Sequence, residues 1–425
     1  KMKPTSIAAI LKELFDPDTL KALNADTGFI ERERVIDLEA LLWTLVLGRG
    51  AQRRLHLATL HRLYMRRCGA QVAYSCLRDK LNKPACADFL QRCVDRVCTL
   101  ATSYIPRFKA SNAAMLSDAL AVDSTVVTLH KALRPIWKAT WKDGAALKLH
   151  AVHNVVHGCT VNLRISQGTE HDAKDLRQPG PWLKGLILMG DLAFWSLPRF
   201  KAIDANAGFF ISRLKGGVKV EALSDNASPG PGSMDVAGKS LDELTRRLRR
   251  HEVDLKVLVG DERVQMRLVG RKHPETGKYH FYVTNIDAEQ MDVRWIGELY
   301  RLRWQVELLF KALRSIGRLD QMVSSSPNII RTLVWSAVLG VLLGQMLAMM
   351  AREHAGAVRG HVRLLRFQLV WQELQLEVLC ELIKPVIDAV DDLSWLYQQA
   401  CDPNHTRGRP TDVLTKFRYD GLPFS

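Results

Sequence analysis

Tyr300, Arg303, Glu307 and Arg314 recur along LYRLRWQVELLFKALRS (299–315), with Trp304 and Lys311 among them. At about 100° per residue, a helix gathers positions spaced by three, four and seven residues onto one stripe. Leu302, Val306, Leu309 and Leu313 then turn to the other side and pack inward. A phenol, several cations and one carboxylate on one face have two readings. The plain one is a solvated helix laced by i,i+4 ion pairs, Arg303 with Glu307 and Glu307 with Lys311. The chemical one is a metal-holding carboxylate flanked by cations that reach phosphate oxygens, as a phosphodiester site requires.

Two aspartates extend the chemical reading. Asp123 ends the apolar run ALAV, and Asp191 follows LILMG. An acid at the carboxyl end of a buried strand sits where α/β sheets place their sites. Each also has a dull alternative, since an Asp leaving a strand often starts a turn or caps a helix. Three carboxylates side by side need a cation to offset their repulsion, and oxygen ligands select Mg²⁺ or Mn²⁺. Asp118 and Asp261 are rival acids. Asp118 lies five residues before Asp123, so a slip in strand register would exchange the two.

The composition points to an anionic partner. The chain of 425 residues carries a net charge of +15, and nucleic acid is the commonest large polyanion. Residues 51–109 hold twelve Lys or Arg against three Asp or Glu, +9 of that total. Within them RRLHLATLHRLYMRR reads as an amphipathic helix ended by Gly69, and VAYSCLRDKLNKP as a second helix stopped before Pro84. Helix, glycine turn, helix is the outline of a helix-turn-helix, with Arg78, Lys80 and Lys83 as candidate DNA contacts. The same outline fits any pair of antiparallel helices with a solvated basic face.

Several classes are disfavoured. The eight cysteines include no CxxC pair and no His at zinc-finger spacing, which argues against zinc. Five of them lie in the N-terminal helical region and read as small buried residues of a reduced, intracellular protein, with a cytoplasmic setting expected. The opening KMKPTSIAAILKELFDPD soon becomes charged and does not read as a signal peptide. LVWSAVLGVLLGQMLAMM (333–350) is 18 residues without charge, short for a membrane span and better read as a buried core helix.

These elements must position the candidate residues. Residues 1–110 read as a helical, basic region. From 116, LSDALAVDSTVVTLH, LKLHAVHNVV and TVNLRISQG read as strands, with a hairpin turn at His157-Gly158. HDAKDLRQ reads as a helix, and GLILMG and AGFFISRL as further strands, the first buried on both faces. SDNASPGPGSMD (224–235) is a loop, and SLDELTRRLRR a helix with a capping box from Ser240 to Glu243. VDLKVLVG, RVQMRLVG and KYHFYVTNI complete a β-rich insertion over 215–292. The fold class expected is α/β, a mixed sheet over 111–322 interrupted by that insertion. A helical region (323–400) and a basic tail (401–425) follow.

The spacing Tyr-x2-Arg-x3-Glu-x6-basic resembles the Y-R-E-K signature of bacterial insertion-sequence transposases of the DDE class, insertion-sequence family four. AVDST and MGDLAFWS are similar to the neighbourhoods of that family's two aspartates, and KLH (148–150) and HD (171–172) to its intervening blocks. The resemblance covers about 115–320 well and the rest in outline. Arg314 stands where the family usually has Lys, and a planar fork is not a point charge. Leu192 follows Asp191 where Arg is common.

The resemblance implies a ribonuclease H-like core whose 115-residue gap between Asp191 and Glu307 is filled by the β-rich insertion. It implies that Asp123, Asp191 and Glu307 hold two Mg²⁺ ions, with Mn²⁺ as substitute, for in-line phosphodiester hydrolysis and strand transfer at the ends of an insertion sequence. Tyr300, Arg303 and Arg314, with Lys311 beside them, would contact DNA phosphates. Tyr279, Phe281 and Tyr282 are candidates to stack a flipped base, against the alternative of strand residues packed in a core. The implied partner is double-stranded DNA bound by a homodimer, without a membrane. Two other classes stay open. A glycosidase needs only two carboxylates and leaves the cations idle, and a catalytically inactive relic would keep only DNA binding.

Overall fold

The computed structural model describes residues 6–31, 36–48, 56–68, 72–103, 118–171, 178–226, 235–247, 250–273, 275–322, 324–355 and 363–383. The expected helix at HDAKDLRQ, the glycine turn at Gly69 and the tail with Arg407, Arg409, Lys416 and Arg418 lie outside the described residues, as does most of the loop 224–235.

Six helices come first: α1 (Ile7–Leu14), α2 (Pro17–Thr27), α3 (Leu38–Leu47), α4 (Leu57–Cys68), α5 (Tyr74–Leu81) and α6 (Pro84–Ser103). Their starts are written in the sequence. Ser6, Asp16 and Asp37 accept from the amides of Ala9, Thr19 and Ala40, which removes one orphan donor from each helix. Pro17 and Pro84 stand in first turns, where a missing N–H costs nothing.

The sheet has nine strands: β1 (Asp118–Leu129), β2 (Ala145–Asn154), β3 (Cys159–Gln167), β4 (Leu186–Met189), β5 (Phe209–Arg213), β6 (Val220–Asp225), β7 (Glu252–Val259), β8 (Val264–Lys272) and β9 (Tyr279–Thr284). Their order is β3-β2-β1-β4-β5-β9-β8-β7-β6. β1, β2 and β3 are antiparallel, and β4 and β5 run parallel to β1. That 3-2-1-4-5 arrangement is the ribonuclease H-like core. The turn between β2 and β3 contains Gly158 at φ +71, a conformation glycine adopts without strain. The insertion strands extend the same sheet, because β9 pairs with the free edge of β5. The expected capping box opens α8 (Leu241–Arg247), after α7 (Leu197–Ala205): the Ser240 amide donates to Glu243 and the Glu243 amide to Ser240 Oγ.

Alternation along β1 sends Ala119 and Ala121 into one hydrophobic core and Leu120 and Val122 into another. The first core runs from Ile7 to Leu382, so the helical regions at both ends pack on the same face of the sheet. The apolar segment 333–350 lies in α11 (Pro327–Ala355), which packs along α6. It is long and apolar enough to cross a membrane, but 94% of its apolar window is buried inside the protein, as a core helix requires. α12 (Leu364–Ile383) packs beside it.

Two expectations are corrected. Asp123 does not end its strand but lies midway along β1, because Ser-Thr-Val-Val-Thr-Leu continues the β-branched run and pairs with β2 through Leu129. The single helix over 299–315 is two, α9 (Val293–Leu302) and α10 (Trp304–Ser315). The tightening is local: Arg303 N donates to Tyr300 O at 3.1 Å and Val306 N to Arg303 O at 3.1 Å, three-residue bonds in place of four.

Candidate active site

Strand register brings the two aspartates together. In the parallel pairing of β1 with β4, Ala121 faces Met189. Asp123 and Asp191 lie two residues further along each chain, and neighbouring strands are about 4.8 Å apart. Asp191 also fills its dull role, accepting the Ala193 amide at 2.8 Å to cap a short 3₁₀ turn. Asp123 points to the face covered by α10, whose Val306, Leu309 and Leu313 are fully buried, as the periodicity requires.

Arg303 joins the remaining acid. Its Nη1 donates to Asp123 Oδ2 at 3.1 Å and its Nη2 to Glu307 Oε1 at 2.7 Å. The Arg303 and Asp123 side chains are only 15% and 18% exposed, so this bridge is shielded from solvent. Burial raises the Asp123 carboxyl from 3.8 to about 6, and the charges of Asp191 and Glu307 push the same way. The Ser124 amide and Arg303 oppose the rise. Among the described residues no three His, Cys, Asp or Glu side chains stand gathered as a ready metal-ligand set. The guanidinium occupies the space between two of the acids, and the third is turned toward its own cap. The donor set nevertheless fits a hard divalent cation: three carboxylates, one raised by burial and by the other two, with one positive charge among them.

The other named residues are placed as follows. Tyr300 is buried at 7% exposure and its hydroxyl donates to Gly190 O at 3.1 Å, tying α9 to the residue before Asp191. Its ring meets Tyr282 at 5.0 Å. Arg314 donates to Thr125 Oγ1 and, at 3.4 Å, to Val126 O, further along β1. Lys311 and Trp304 are exposed on α10. In the KLH block, Lys148 donates to Glu170 O and His150 meets Ser166 Oγ at 2.7 Å, so both are engaged across the sheet. Arg78, Lys80 and Lys83 lie in and just after α5, well separated in sequence from the acids, and Arg78 pairs with Asp79 at 3.0 Å.

The rival acids separate cleanly. Asp118 is an odd number of residues from Asp123 and faces the opposite side of the sheet. There it accepts from Asn154 and the Ala119 amide, and burial raises it to about 6. Asp261 is an exposed turn residue paired with Lys219 at 2.9 Å. Tyr279 and Phe281 stack on each other at 5.5 Å and pack against the second core, while Tyr282 packs against the first. A cleft of ≈ 690 Å³ opens beside Tyr279 and Phe281, and none of the three acids lines it. Arg213, at the end of β5, was not singled out from the sequence. Its charge acts on Tyr282 and Tyr300, and the signal for it was a cation closing the apolar strand FFISR.

The family described as transposase DDE domain matches residues 115–343, just over half of the chain. The chain belongs to the DDE transposases. It is similar to the transposase for insertion sequence element IS1151 of Clostridium perfringens, 21% identical over 353 residues, covering 73% of this chain and 74% of that one. The putative transposase for insertion sequence element IS4SA of Synechocystis is 23% identical over 236 residues, covering 53% and 59%. Among solved structures, the piggyBac transposase synaptic complex with hairpin DNA aligns with a TM-score of 0.45 at 10% identity, covering 95% of this chain and 87% of that one. As a DDE transposase the protein is a DNA nuclease and strand transferase, and divalent metal dependence is general to its family.

Proposed function

We propose that Asp123, Asp191 and Glu307 are the catalytic acids and that they hold two Mg²⁺ ions, with Mn²⁺ able to substitute. Assignment to insertion-sequence family four, action at the paired ends of one element by a homodimer, and a cytoplasmic setting are part of the same proposal. The observation that carries it is the Arg303 bridge, which draws Asp123 and Glu307 together beside the Asp191 turn although 180 residues separate Arg303 from Asp123. When bound, the ions would supply charge neutralisation at the phosphate and an acidified water.

The chain's own groups do the rest. Arg303, freed from Glu307 and Asp123, turns its fork toward the DNA backbone. Tyr300 holds the Gly190–Asp191 turn at its height beside β1. Arg314 and Lys311 extend the positive side of the site along β1, where they ground phosphates neighbouring the scissile one. Arg78, Lys80 and Lys83 bind the element end from the N-terminal helices. A glycosidase would leave this cationic rim without a role, and no observation favours an inactive relic, since every acid keeps its partners.

The test is incubation with a linear DNA library and Mn²⁺, comparing wild type with Glu307→Ala. The reading expects metal-dependent nicking at one terminal sequence that disappears in the variant. Cleavage without metal, cleavage by Glu307→Ala at the wild-type rate, or no cleavage by either protein would overturn it.

A further inference from the structure

The connection from β1 to β2 carries chemistry that the acidic site does not use. Residues 130–144 read HKALRPIWKATWKDG, with four Lys or Arg and one acid. The segment is built, not loose. Leu133 is buried at 1% exposure, Ala146 N donates to Trp137 O at 3.0 Å, and Ala139 N donates to Gly144 O at 3.3 Å. The Trp141 ring covers Gly144 so closely that a Cβ there would lie 2.0 Å from Nε1. On this frame Ile136 and Trp141 stand 50% and 44% exposed. Lys131, Lys138 and Lys142 are exposed and their ammonium groups make no hydrogen bond or ion pair among the described residues, while Arg134 meets Asp143 at 3.1 Å.

The position matters as much as the composition. β1 runs from Asp123 past Thr125, where Arg314 is bonded, to Leu129, six residues beyond the acid. At about 3.3 Å per residue that is about 20 Å, the rise of about six base-pair steps of a duplex. Cations therefore follow one line: Arg303 at Asp123, Arg314 at Thr125, then the cations of the hairpin. A protein partner fits poorly, because stable interfaces bury about 800 Å² per side with charge depleted at the centre. Here two isolated apolar side chains are interleaved with cations, the composition that grips a nucleic-acid backbone.

We propose that the 130–144 hairpin is a second duplex-DNA contact, in which Lys138 and Lys142 meet phosphates about six base-pair steps from the scissile one and Trp141 packs on the sugar edge. This rests on the transposase reading of the acidic site. It is tested with the full chain and a fluorescent random-sequence duplex, by measuring affinity against salt. Lys138→Ala with Lys142→Ala should flatten the slope of log K against log salt by about 1.8, two phosphates at about 0.9 each. Lys138→Arg with Lys142→Arg should restore it, and Trp141→Ala should weaken binding at an unchanged slope. Lys138 and Lys142 are exposed, so thermal unfolding of the two lysine double variants should not move. A cleaving chelate tethered at Lys142→Cys should score the backbone about six steps from the Mn²⁺-dependent nick.

An unchanged slope in the double-alanine variant overturns the proposal while leaving the nuclease reading intact. A changed sedimentation coefficient with an unchanged slope overturns it in favour of an interface between copies. Scoring only at the nick overturns the placement. If the wild type binds no duplex at all, both readings fall.

Discussion

Asp123→Asn should make the metal-free protein more stable while removing its chemistry. Burial, ahead of the charges of Asp191 and Glu307, lifts the Asp123 carboxyl from 3.8 to about 6. That value already contains the help of the Ser124 amide and Arg303, so it measures the net cost of the charge in place. Two units at about 1.4 kcal/mol each correspond to about 3 kcal/mol, an upper figure because the side chain keeps 18% exposure. Folded Asp123 binds its proton more tightly than the unfolded chain does. Stability therefore falls as pH rises from about 4 to about 6, and the whole penalty applies above that window. Asparagine never ionises and still offers an oxygen to the Ser124 amide, which donates to Asp123 at 2.8 Å. At pH 8 with chelator the variant should gain about 1–3 kcal/mol, and at pH 4 the difference should vanish. Asp118 titrates over the same range in both proteins and drops out of the comparison. In a chain of 425 residues a gain of 1 kcal/mol moves Tm by only about 1 °C, so urea titration is the sharper assay. A variant less stable at pH 8, or an advantage of equal size at both pH values, would refute the desolvation argument.

Further outcomes follow from the same contacts. Glu307→Gln loses one end of the Arg303 bridge at a position 31% exposed, so stability should change by less than about 1 kcal/mol. Loss of an outer-shell group costs roughly 10–100-fold, so nicking should fall by more than roughly 100-fold in a single-turnover assay. Tyr300→Phe keeps the ring against Tyr282 but loses the bond to Gly190 O. It should cost about 1 kcal/mol and slow nicking at unchanged DNA affinity, whereas a fall in affinity would mean that the hydroxyl serves a phosphate instead. Arg267, 6% exposed on β8, donates to both oxygens of Asp254 and to the carbonyls of Ile286, Asp287 and Met291, the segment that leads into α9. Arg267→Ala removes the cation from the Asp254 carboxylate, leaving it the Asn226 amide, and should cost about 3 kcal/mol in urea titrations.

Much of this protein is local physics and was legible before folding. Segments rich in Val, Leu and Thr marked β1 to β3, short apolar runs marked β4 and β5, and Ser240 with Glu243 marked the start of α8. Periodicity assigned Val306, Leu309 and Leu313 to the core and left Glu307 on the polar side. The charge of +15 and the Tyr-Arg-Glu spacing pointed to DNA chemistry and to the family. What tertiary structure decided is which distant groups meet. The parallel register of β1 and β4 sets Asp123 level with Asp191 and turns Asp118 to the other face. Docking of α10 on β1 lets one guanidinium span Asp123 and Glu307. The break at Arg303 and the bond from Tyr300 to Gly190 were equally hidden. Periodicity depends on each residue's own neighbours in the chain, whereas register and docking are settled by buried contacts between segments 68 to 180 residues apart, which no local pattern encodes.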